Sequence, residues 1–182
     1  MKETRITTPL TKDVIKNLKA GDEVILSGVI FTARDAAHKK LVDMIKRGRR
    51  IPMNLKDAVI YYAGPTPAPA RRVIGSCGPT TSSRMDEYTP PLLQLGLSGM
   101  IGKGDRSMEV RKAIKRYGAV YFLAVGGIGA LLSSHIKKAR PILFGELGPE
   151  AVYKLEVKDF PLTVGIDSKG KDVYDKVGWK EE

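Results

Sequence analysis

The chain has 182 residues, and its 31 Lys and Arg residues against 20 Asp and Glu residues give a formal charge of +11. Its single cysteine, Cys77, excludes an intrachain disulfide and any zinc or iron–sulfur site built from this chain's cysteines alone. The apolar stretches are far shorter than the roughly 20 residues of a membrane span, and the first residues lack the apolar segment of a signal peptide. The sequence therefore predicts a soluble, cytoplasmic protein that does not enter a membrane.

The N-terminal part of the chain alternates strand and helix signals. Residues 2–9 are predicted to form an edge strand or arm, 11–18 a short helical turn, and 23–31, rich in Val, Ile and Leu, a strand. From 35 to 46, apolar residues recur at helical spacing with lysines on the other face, which predicts a helix. Thr32 is predicted to cap its first turn.

The middle of the chain is predicted to hold short sheet elements and one broken helix. Strands are expected over 58–63 and 72–74, joined by a stiff proline-rich connection. A helix is expected to begin at Ser83 and to break at Pro90 and Pro91, because proline removes a hydrogen-bond donor and clashes with the preceding turn.

Two units of strand, glycine turn and helix follow. Residues 97–101 form a predicted strand before a helix over 108–117, which has a serine cap and a glycine stop. The fully apolar run 119–125 precedes a helix expected to reach Lys138. Strands this apolar are normally buried on both faces, so helices must cover the sheet. The predicted fold class is α/β, with a partly parallel central sheet covered by helices.

The last part of the chain changes character. Short strands are predicted over 142–144, 153–157 and 162–166, followed by a charged surface tail from about residue 171. Length and composition fit a single globular domain spanning 1–182.

Two motifs of well-known enzymes are incomplete here. Gly127 and Gly129 follow a strand as in a dinucleotide-binding turn, but Leu132 replaces the third glycine and no acidic residue follows at the required place. The pattern therefore favours a tight strand-to-helix turn, with His135 as a surface or packing residue. With two histidines, one cysteine and no Gly-x-Ser-x-Gly motif, no hydrolase triad can be assigned.

Residues 75–86 form a loop rich in glycine and hydroxyl side chains. Glycine lets backbone N–H groups approach a ligand closely, and a helix beginning near Ser82 would direct its positive dipole end at a bound anion. The same residue types also suit a plain helix cap, and the loop alone does not decide between the two.

Four cations stand on turns near predicted strand ends: Arg34, Arg84, Lys103 and Arg106. Ligands of open α/β sheets gather at the carboxyl ends of strands. Arginine offers a planar fork for a carboxylate and lysine a compact charge, so a small dicarboxylate is the natural ligand. A solvated basic surface remains the alternative.

The net charge also admits a basic nucleotide- or nucleic-acid-binding protein. The lysines are spread along the chain, however, without a long basic tract or an interleaved aromatic platform. The sequence therefore does not favour nucleic acid as a partner.

Beyond these patterns, the sequence closely resembles the class I, iron–sulfur-dependent fumarases, in their C-terminal domain or separate β subunit. The matching segments run in the family's order and cover nearly the whole chain: 33–38, 78–86, 100–107, 126–130, 145–148 and 155–161. The resemblance implies a swivelling β/β/α domain and the reversible hydration of fumarate to L-malate. It also implies a four-iron four-sulfur cluster held by cysteines of a partner α subunit, so this chain is expected to bind no metal itself and to act only in a hetero-oligomer.

The resemblance also assigns roles at the site. Arg34, Arg84 and Lys103 would hold the substrate carboxylates, and Thr80 would be the base that removes a proton beside a carboxylate. A threonine hydroxyl is a poor base in water, so this role requires cations that favour its alkoxide. The neighbouring Thr81 remains an alternative for the same role.

Three further residues are expected to support the site. Asp86 is expected to orient Arg84 or the loop backbone, and Asp35 and His38 are expected to lie around the substrate-binding residues; helix capping is the alternative for each. Within the family, the β subunit of L-tartrate dehydratase is the nearest rival, and segments 84–86 and 103–107 favour the fumarase branch.

Overall fold

The computed structural model describes residues 3–124 and 129–176, and it contains seven strands and five α-helices in this part of the chain. The strands are β1 Thr4–Thr7, β2 Glu23–Thr32, β3 Val59–Tyr61, β4 Gly99–Gly102, β5 Val120–Leu123, β6 Ile136–Leu143 and β7 Val152–Ile166. The α-helices are α1 Lys12–Ile15, α2 Asp35–Lys46, α3 Thr89–Gln94, α4 Met108–Tyr117 and α5 Gly129–Ser134. Short 3₁₀ helices span Ser82–Tyr88, Gly145–Glu150 and Val173–Lys176.

The sheet has a parallel half and an antiparallel half. Strands β1 to β5 pair in chain order and all run parallel. The long β7 pairs antiparallel with both β2 and β5, so β2, β3, β4, β5 and β7 form a closed ring of pairs, and β6 adds to the outside of β7. The prediction of an α/β fold with a partly parallel sheet is confirmed.

The carboxyl ends of β2, β3 and β4 lie level with one another. Thr32 pairs with Tyr61, and Tyr61 pairs with Ile101. Residues that directly follow these three strands therefore meet at one edge of the sheet.

Both faces of the parallel sheet are buried. Along β3, Val59 and Tyr61 belong to one hydrophobic cluster, whereas Ile60 and the following Tyr62 belong to the other. This alternation with a period of two residues explains why the strand sequence is apolar throughout. The second cluster includes the buried faces of α2, α3 and α4.

Helices α2 and α4 have the predicted bounds. In α4, the Ser107 hydroxyl accepts a hydrogen bond from the Val110 N–H at 3.3 Å, and Gly118 ends the helix in the left-handed region at φ 64°. Thr32 does not cap α2, in contrast to the prediction. Its hydroxyl oxygen instead accepts a hydrogen bond from the Tyr153 N–H at 3.1 Å, which ties β2 to β7.

Three other predicted elements are wrong. Residues 72–74 lie in a loop, with Ile74 buried, because the Thr66 and Gly75 N–H groups close that loop on itself instead of pairing with a strand. Pro90 and Pro91 do not break a helix; they occupy the first turn of α3, where their missing N–H groups are not needed. The helix predicted to reach Lys138 ends at Ser134.

The antiparallel half also differs from the prediction. Strand β6 covers 136–143, a stretch expected to begin as helix, and one continuous β7 replaces two predicted short strands. The pairing of β7 with β2 shifts register between Leu26 and Gly28, and the irregular residues of β7 opposite this point include Asp159, which has a positive φ of 54°. The glycine turn at 126–128 and the tail beyond Lys176 lie outside the described residues.

Among the helices of the described ranges, none is long and apolar enough to cross a membrane.

Candidate active site

Three adjacent parallel strands bring the predicted site residues to one edge of the sheet. Arg34 follows the end of β2 by two residues, and Lys103 directly follows β4. Thr80 arrives from the 75–86 loop, and its N–H donates to the carbonyl of Tyr62, just after β3, at 2.7 Å. The loop thus lies across the carboxyl end of the sheet.

The first part of this loop is anchored by buried contacts. The Tyr61 hydroxyl donates to the Cys77 carbonyl at 2.6 Å, and the Cys77 N–H donates to the Gly129 carbonyl at 3.3 Å. Burial raises the pKa of the Cys77 thiol to about 12, so it stays protonated and is a poor metal ligand. Cys77 therefore fixes the loop through its backbone.

Ser82 and Tyr121, which the sequence analysis did not assign to the site, fix the turn that carries Lys103. The Ser82 hydroxyl accepts from the Lys103 N–H at 3.1 Å, and the Ser82 N–H donates to the Lys103 carbonyl at 3.0 Å. The Tyr121 hydroxyl lies 2.9 Å from Ser82 Oγ and donates to the Gly104 carbonyl at 2.8 Å. Burial raises the pKa of Tyr121, so this hydroxyl remains a neutral donor. A Cβ atom at Gly102 would overlap the Ser82 hydroxyl, which explains the glycine at the end of β4.

Arg84 forms a two-pronged ion pair with Asp35. Its Nε and Nη2 donate to the two carboxylate oxygens at 2.9 and 2.8 Å, which joins the 3₁₀ helix of residues 82–88 to the first turn of α2. The pair uses only one edge of the guanidinium fork, so the other edge can still receive a carboxylate.

Asp86 pairs with Arg106 rather than with Arg84. The Arg106 Nε donates to one carboxylate oxygen at 2.7 Å, and the Ser107 N–H donates to the other at 2.7 Å. Asp86 therefore joins the 3₁₀ helix to the start of α4.

Arg106 itself lies in the interior. Its guanidinium is fully buried, donates to the Thr89 hydroxyl at 2.8 Å, and lies 5.2 and 5.0 Å from the ring centres of Tyr62 and Tyr121. Of the four cations that the sequence grouped together, this one is enclosed by protein and cannot meet a ligand.

Arg34 lies between β2 and the 3₁₀ helix of residues 145–150. Its Nε is 3.8 Å from Glu150 Oε1 and makes no hydrogen bond within the described part of the chain. Its carbonyl accepts from the His38 N–H at 2.8 Å and from His38 Nδ1 at 2.9 Å. The backbone at Arg34 is therefore held by the first turn of α2.

His38 is a fully buried, neutral side chain. Burial lowers its pKa from 6.5 to about 4, and its ring packs edge-on against Tyr62 with ring centres 5.3 Å apart. Because Nδ1 donates to the Arg34 carbonyl, Nε2 is unprotonated, and Nε2 has no partner among the described residues. His38 therefore supports Arg34 and cannot act as an acid near neutral pH.

The remaining predicted residues lie nearer the surface. Thr80 is half-buried, whereas Thr81 is exposed. The backbone of Thr81 forms an isolated parallel β-bridge with Lys103. Within residues 3–124 and 129–176, Lys103 makes no ion pair. A depression of about 910 Å³ near residues 49–55 lies apart from these residues.

The described residues do not fit an iron–sulfur cluster. They contain no group of three or more His, Cys, Asp or Glu side chains placed to hold a metal ion. The one thiol in the loop is buried and protonated. What the edge offers is a set of cations beside a half-buried hydroxyl, which suits an anionic substrate.

Nearly the whole chain matches one protein family. Residues 1–177 match the family described as "Fumarase C-terminus". A Methanocaldococcus jannaschii protein provisionally named L(+)-tartrate dehydratase subunit beta is 43% identical over 177 residues, which is 94% of this chain and 91% of that protein.

Two relatives named as fumarate hydratases are much longer. Fumarate hydratase 2 of Leishmania major is 42% identical over 86% of this chain, and the anaerobic class I fumarate hydratase of Escherichia coli is 42% identical over 84% of it. The matched region is about 28% of either relative. The chain therefore belongs to the fumarase C-terminus family.

Proposed function

We propose that this chain is the β-subunit part of an iron–sulfur hydro-lyase that reversibly hydrates fumarate to L-malate. The observation that carries the proposal is that β2, β3 and β4 end side by side at one edge of the sheet. Three accessible cations, Arg34, Arg84 and Lys103, accompany Thr80 at this edge. The 42% identity to fumarate hydratases over most of the chain supports this substrate.

Substrate binding rests on the three accessible cations. Arg84 keeps one edge of its guanidinium on Asp35 and presents the other to a carboxylate. Arg34 and Lys103 supply charge on either side of the β3 end, so two carboxylates can be held at once. A four-carbon dicarboxylate has this charge distribution.

Thr80 is proposed to take the proton from the carbon beside a carboxylate when malate is dehydrated. Its backbone is fixed by the Tyr62 carbonyl, and it is half-buried where Thr81 is exposed. A nearby cation stabilises the alkoxide form of a hydroxyl, and in a site closed from water this effect is stronger than in solution. The half-buried position favours Thr80 over Thr81.

The family resemblance assigns a four-iron four-sulfur cluster to the reaction, where it would act as a Lewis acid on the substrate. We propose that an α subunit carries it, since the described residues of this chain offer no donor set for it. The active species would then be a hetero-oligomer, with this chain supplying substrate binding and the proton acceptor.

A second candidate is the β subunit of L-tartrate dehydratase. The M. jannaschii relative with that provisional name matches this chain over 91% of its own length. Tartrate is also a four-carbon dicarboxylate, so the same three cations would bind it.

The decisive experiment co-expresses the chain with an α-type partner, reconstitutes the cluster without oxygen, and assays fumarate, L-malate and L-tartrate. Turnover of fumarate and L-malate supports the proposal, and turnover of L-tartrate alone supports the second candidate. Activity of the isolated chain without iron would contradict both. Tight, salt-sensitive DNA or RNA binding would instead support a nucleic-acid-binding protein.

Variants of the site test the assigned roles. Arg84→Ala and Thr80→Ala should each lower kcat/KM by about 10²-fold or more, because each removes a group that contacts the substrate, while fold and subunit pairing persist. Thr81→Ala is the matched control and should remain active. If Thr81→Ala were inactive and Thr80→Ala active, the base would be Thr81.

A further inference from the structure

Gly64 lies directly against the side chain of Arg34. A Cβ atom built at Gly64 would lie 2.9 Å from both Cδ and Nη1 of Arg34 and 3.1 Å from the Pro149 carbonyl oxygen. Gly64 does not have a positive φ, so its backbone conformation is open to other residues. Glycine is needed at position 64 because the Arg34 side chain occupies the space that a Cβ atom would take.

The 3₁₀ helix of residues 145–150 forms the other side of this slot. Glu150 Oε1 lies 3.8 Å from Arg34 Nε, and the Pro149 carbonyl closes the space beyond Gly64. The helix is held on α2 by an ion pair between Lys40 and Glu146 at 2.5 Å. The Arg34 side chain therefore lies between two backbone segments that are themselves fixed.

We propose that Gly64 is a positioning residue, whose lack of a side chain sets where the Arg34 guanidinium lies. The inference rests on the proposed function, in which Arg34 binds a substrate carboxylate. A methyl group at Gly64 would chiefly displace Cδ and Nη1 of the flexible Arg34 side chain, with a smaller adjustment at the Pro149 carbonyl oxygen, so it should cost little stability. It would move the guanidinium on the order of 1 Å, and misplacement of this size is enough to weaken a substrate contact strongly.

The test measures binding of succinate, a saturated four-carbon dicarboxylate, to the reconstituted hetero-oligomer by calorimetry, together with the KM for fumarate. Gly64→Ala should raise both the succinate Kd and the KM by about tenfold. Its thermal midpoint should stay within about 2 °C of the parent value. Gly145→Ala is the matched control, because Gly145 has no atom within 4 Å of its Cβ position and no positive φ; it should bind succinate like the parent.

A double-mutant cycle shows whether Gly64 acts through Arg34. In an Arg34→Ala background the two closest atoms are gone and only the Pro149 carbonyl oxygen, at 3.1 Å, remains near the Gly64 Cβ position. Adding Gly64→Ala there should therefore change the succinate Kd by less than about twofold. An undiminished effect of Gly64→Ala in that background would overturn the inference, because the methyl group would then act through something else.

The remaining outcomes separate the inference from the proposed function. If Arg34→Ala binds succinate like the parent, the assigned role of Arg34 fails. If Arg34→Ala weakens binding and Gly64→Ala does not, only the role of Gly64 is overturned. Failure of Gly64→Ala to fold would also overturn it, since the displaced group is predicted to be the flexible Arg34 side chain and not the backbone.

Discussion

Two arginine–aspartate pairs meet on the same 3₁₀ helix in very different surroundings. Arg84 pairs with Asp35 at the surface, where 51% of the arginine side chain and 31% of the aspartate remain exposed. Asp86, two residues after Arg84, pairs with Arg106. Here only 15% of the aspartate side chain and 0% of the arginine side chain are exposed. Both pairs have N–O distances of 2.7 to 2.9 Å, so geometry alone does not distinguish them.

The surroundings give the two pairs different tasks. Water competes with an exposed pair, which contributes little to stability, so the Arg84–Asp35 pair mainly orients a guanidinium that can also meet a ligand. Burial opposes the charge of Arg106, but the Tyr62 hydroxyl and the Asp86 carboxylate outweigh it and keep the pKa of Arg106 above its usual value. The buried pair therefore connects the 3₁₀ helix that carries Arg84 to the segment between Lys103 and α4.

The largest effect is expected from breaking each pair on its arginine side. Arg106→Met leaves the Asp86 carboxylate without its arginine partner in a largely buried position, which should lower the free energy of unfolding by about 3–5 kcal/mol. Arg84→Met should lower it by less than about 1 kcal/mol. Urea denaturation of the two variants measures both values, and equal losses would contradict the division of tasks.

The pH dependence of stability tests the buried region around Arg106 without a substitution at either arginine. Burial lowers the pKa of His38 to about 4 against 6.5 for the free side chain, and the nearby Arg106 acts in the same direction. A depressed histidine pKa favours the neutral form, so its stabilising contribution is complete above pH 6.5 and is lost as the pH falls from about 6.5 to about 4. The loss amounts to about 3 kcal/mol.

His38→Gln isolates this contribution. The variant should lose less stability than the parent between pH 7 and pH 4, measured by denaturation at each pH. His135→Gln is the control, since His135 contacts the Lys158 carbonyl near the surface; it should follow the parent curve. Parallel curves for the parent and His38→Gln would show that His38 is not held neutral by burial.

The sequence predicts best the elements whose signals are local. The bounds of α2 and α4 follow from apolar periodicity, and Ser107 and Gly118 mark the ends of α4 in the chain itself. Strand β6 begins in a stretch that reads as helix, because its extended form is stabilised by pairing with β7. Residues 72–74 have strand composition but find no partner strand.

In the candidate site, too, the sequence predicts what depends on local signals and misses what depends on distant contacts. Arg34 and Lys103 could be placed at one edge because parallel strands end together. Arg84 and Arg106 could not be told apart, because the enclosure of Arg106 depends on Tyr62 and Tyr121, which are distant in sequence. Contacts made across the fold, such as Glu150 with Arg34, have no local signal.

The smallest expected effect concerns the orientation of Arg84. Asp35→Asn keeps the size of the side chain but removes the charge that holds the guanidinium fork, so Arg84 should sample other rotamers. The cost to substrate binding is about 1 kcal/mol, a roughly fivefold rise in KM, with kcat little changed. The loss of an acidic residue from the first turn of α2 should lower stability by less than about 1 kcal/mol.

Asp13→Asn is the matched control, because Asp13 also lies in a first helical turn and pairs at the surface, with Lys16. It should cost similar stability and leave KM unchanged. If both variants left KM unchanged, the Asp35 pair would be a surface contact of no consequence for the ligand. A fall in kcat with unchanged KM would instead indicate that Arg84 acts only in the transition state, since an interaction absent from the bound ground state affects kcat alone.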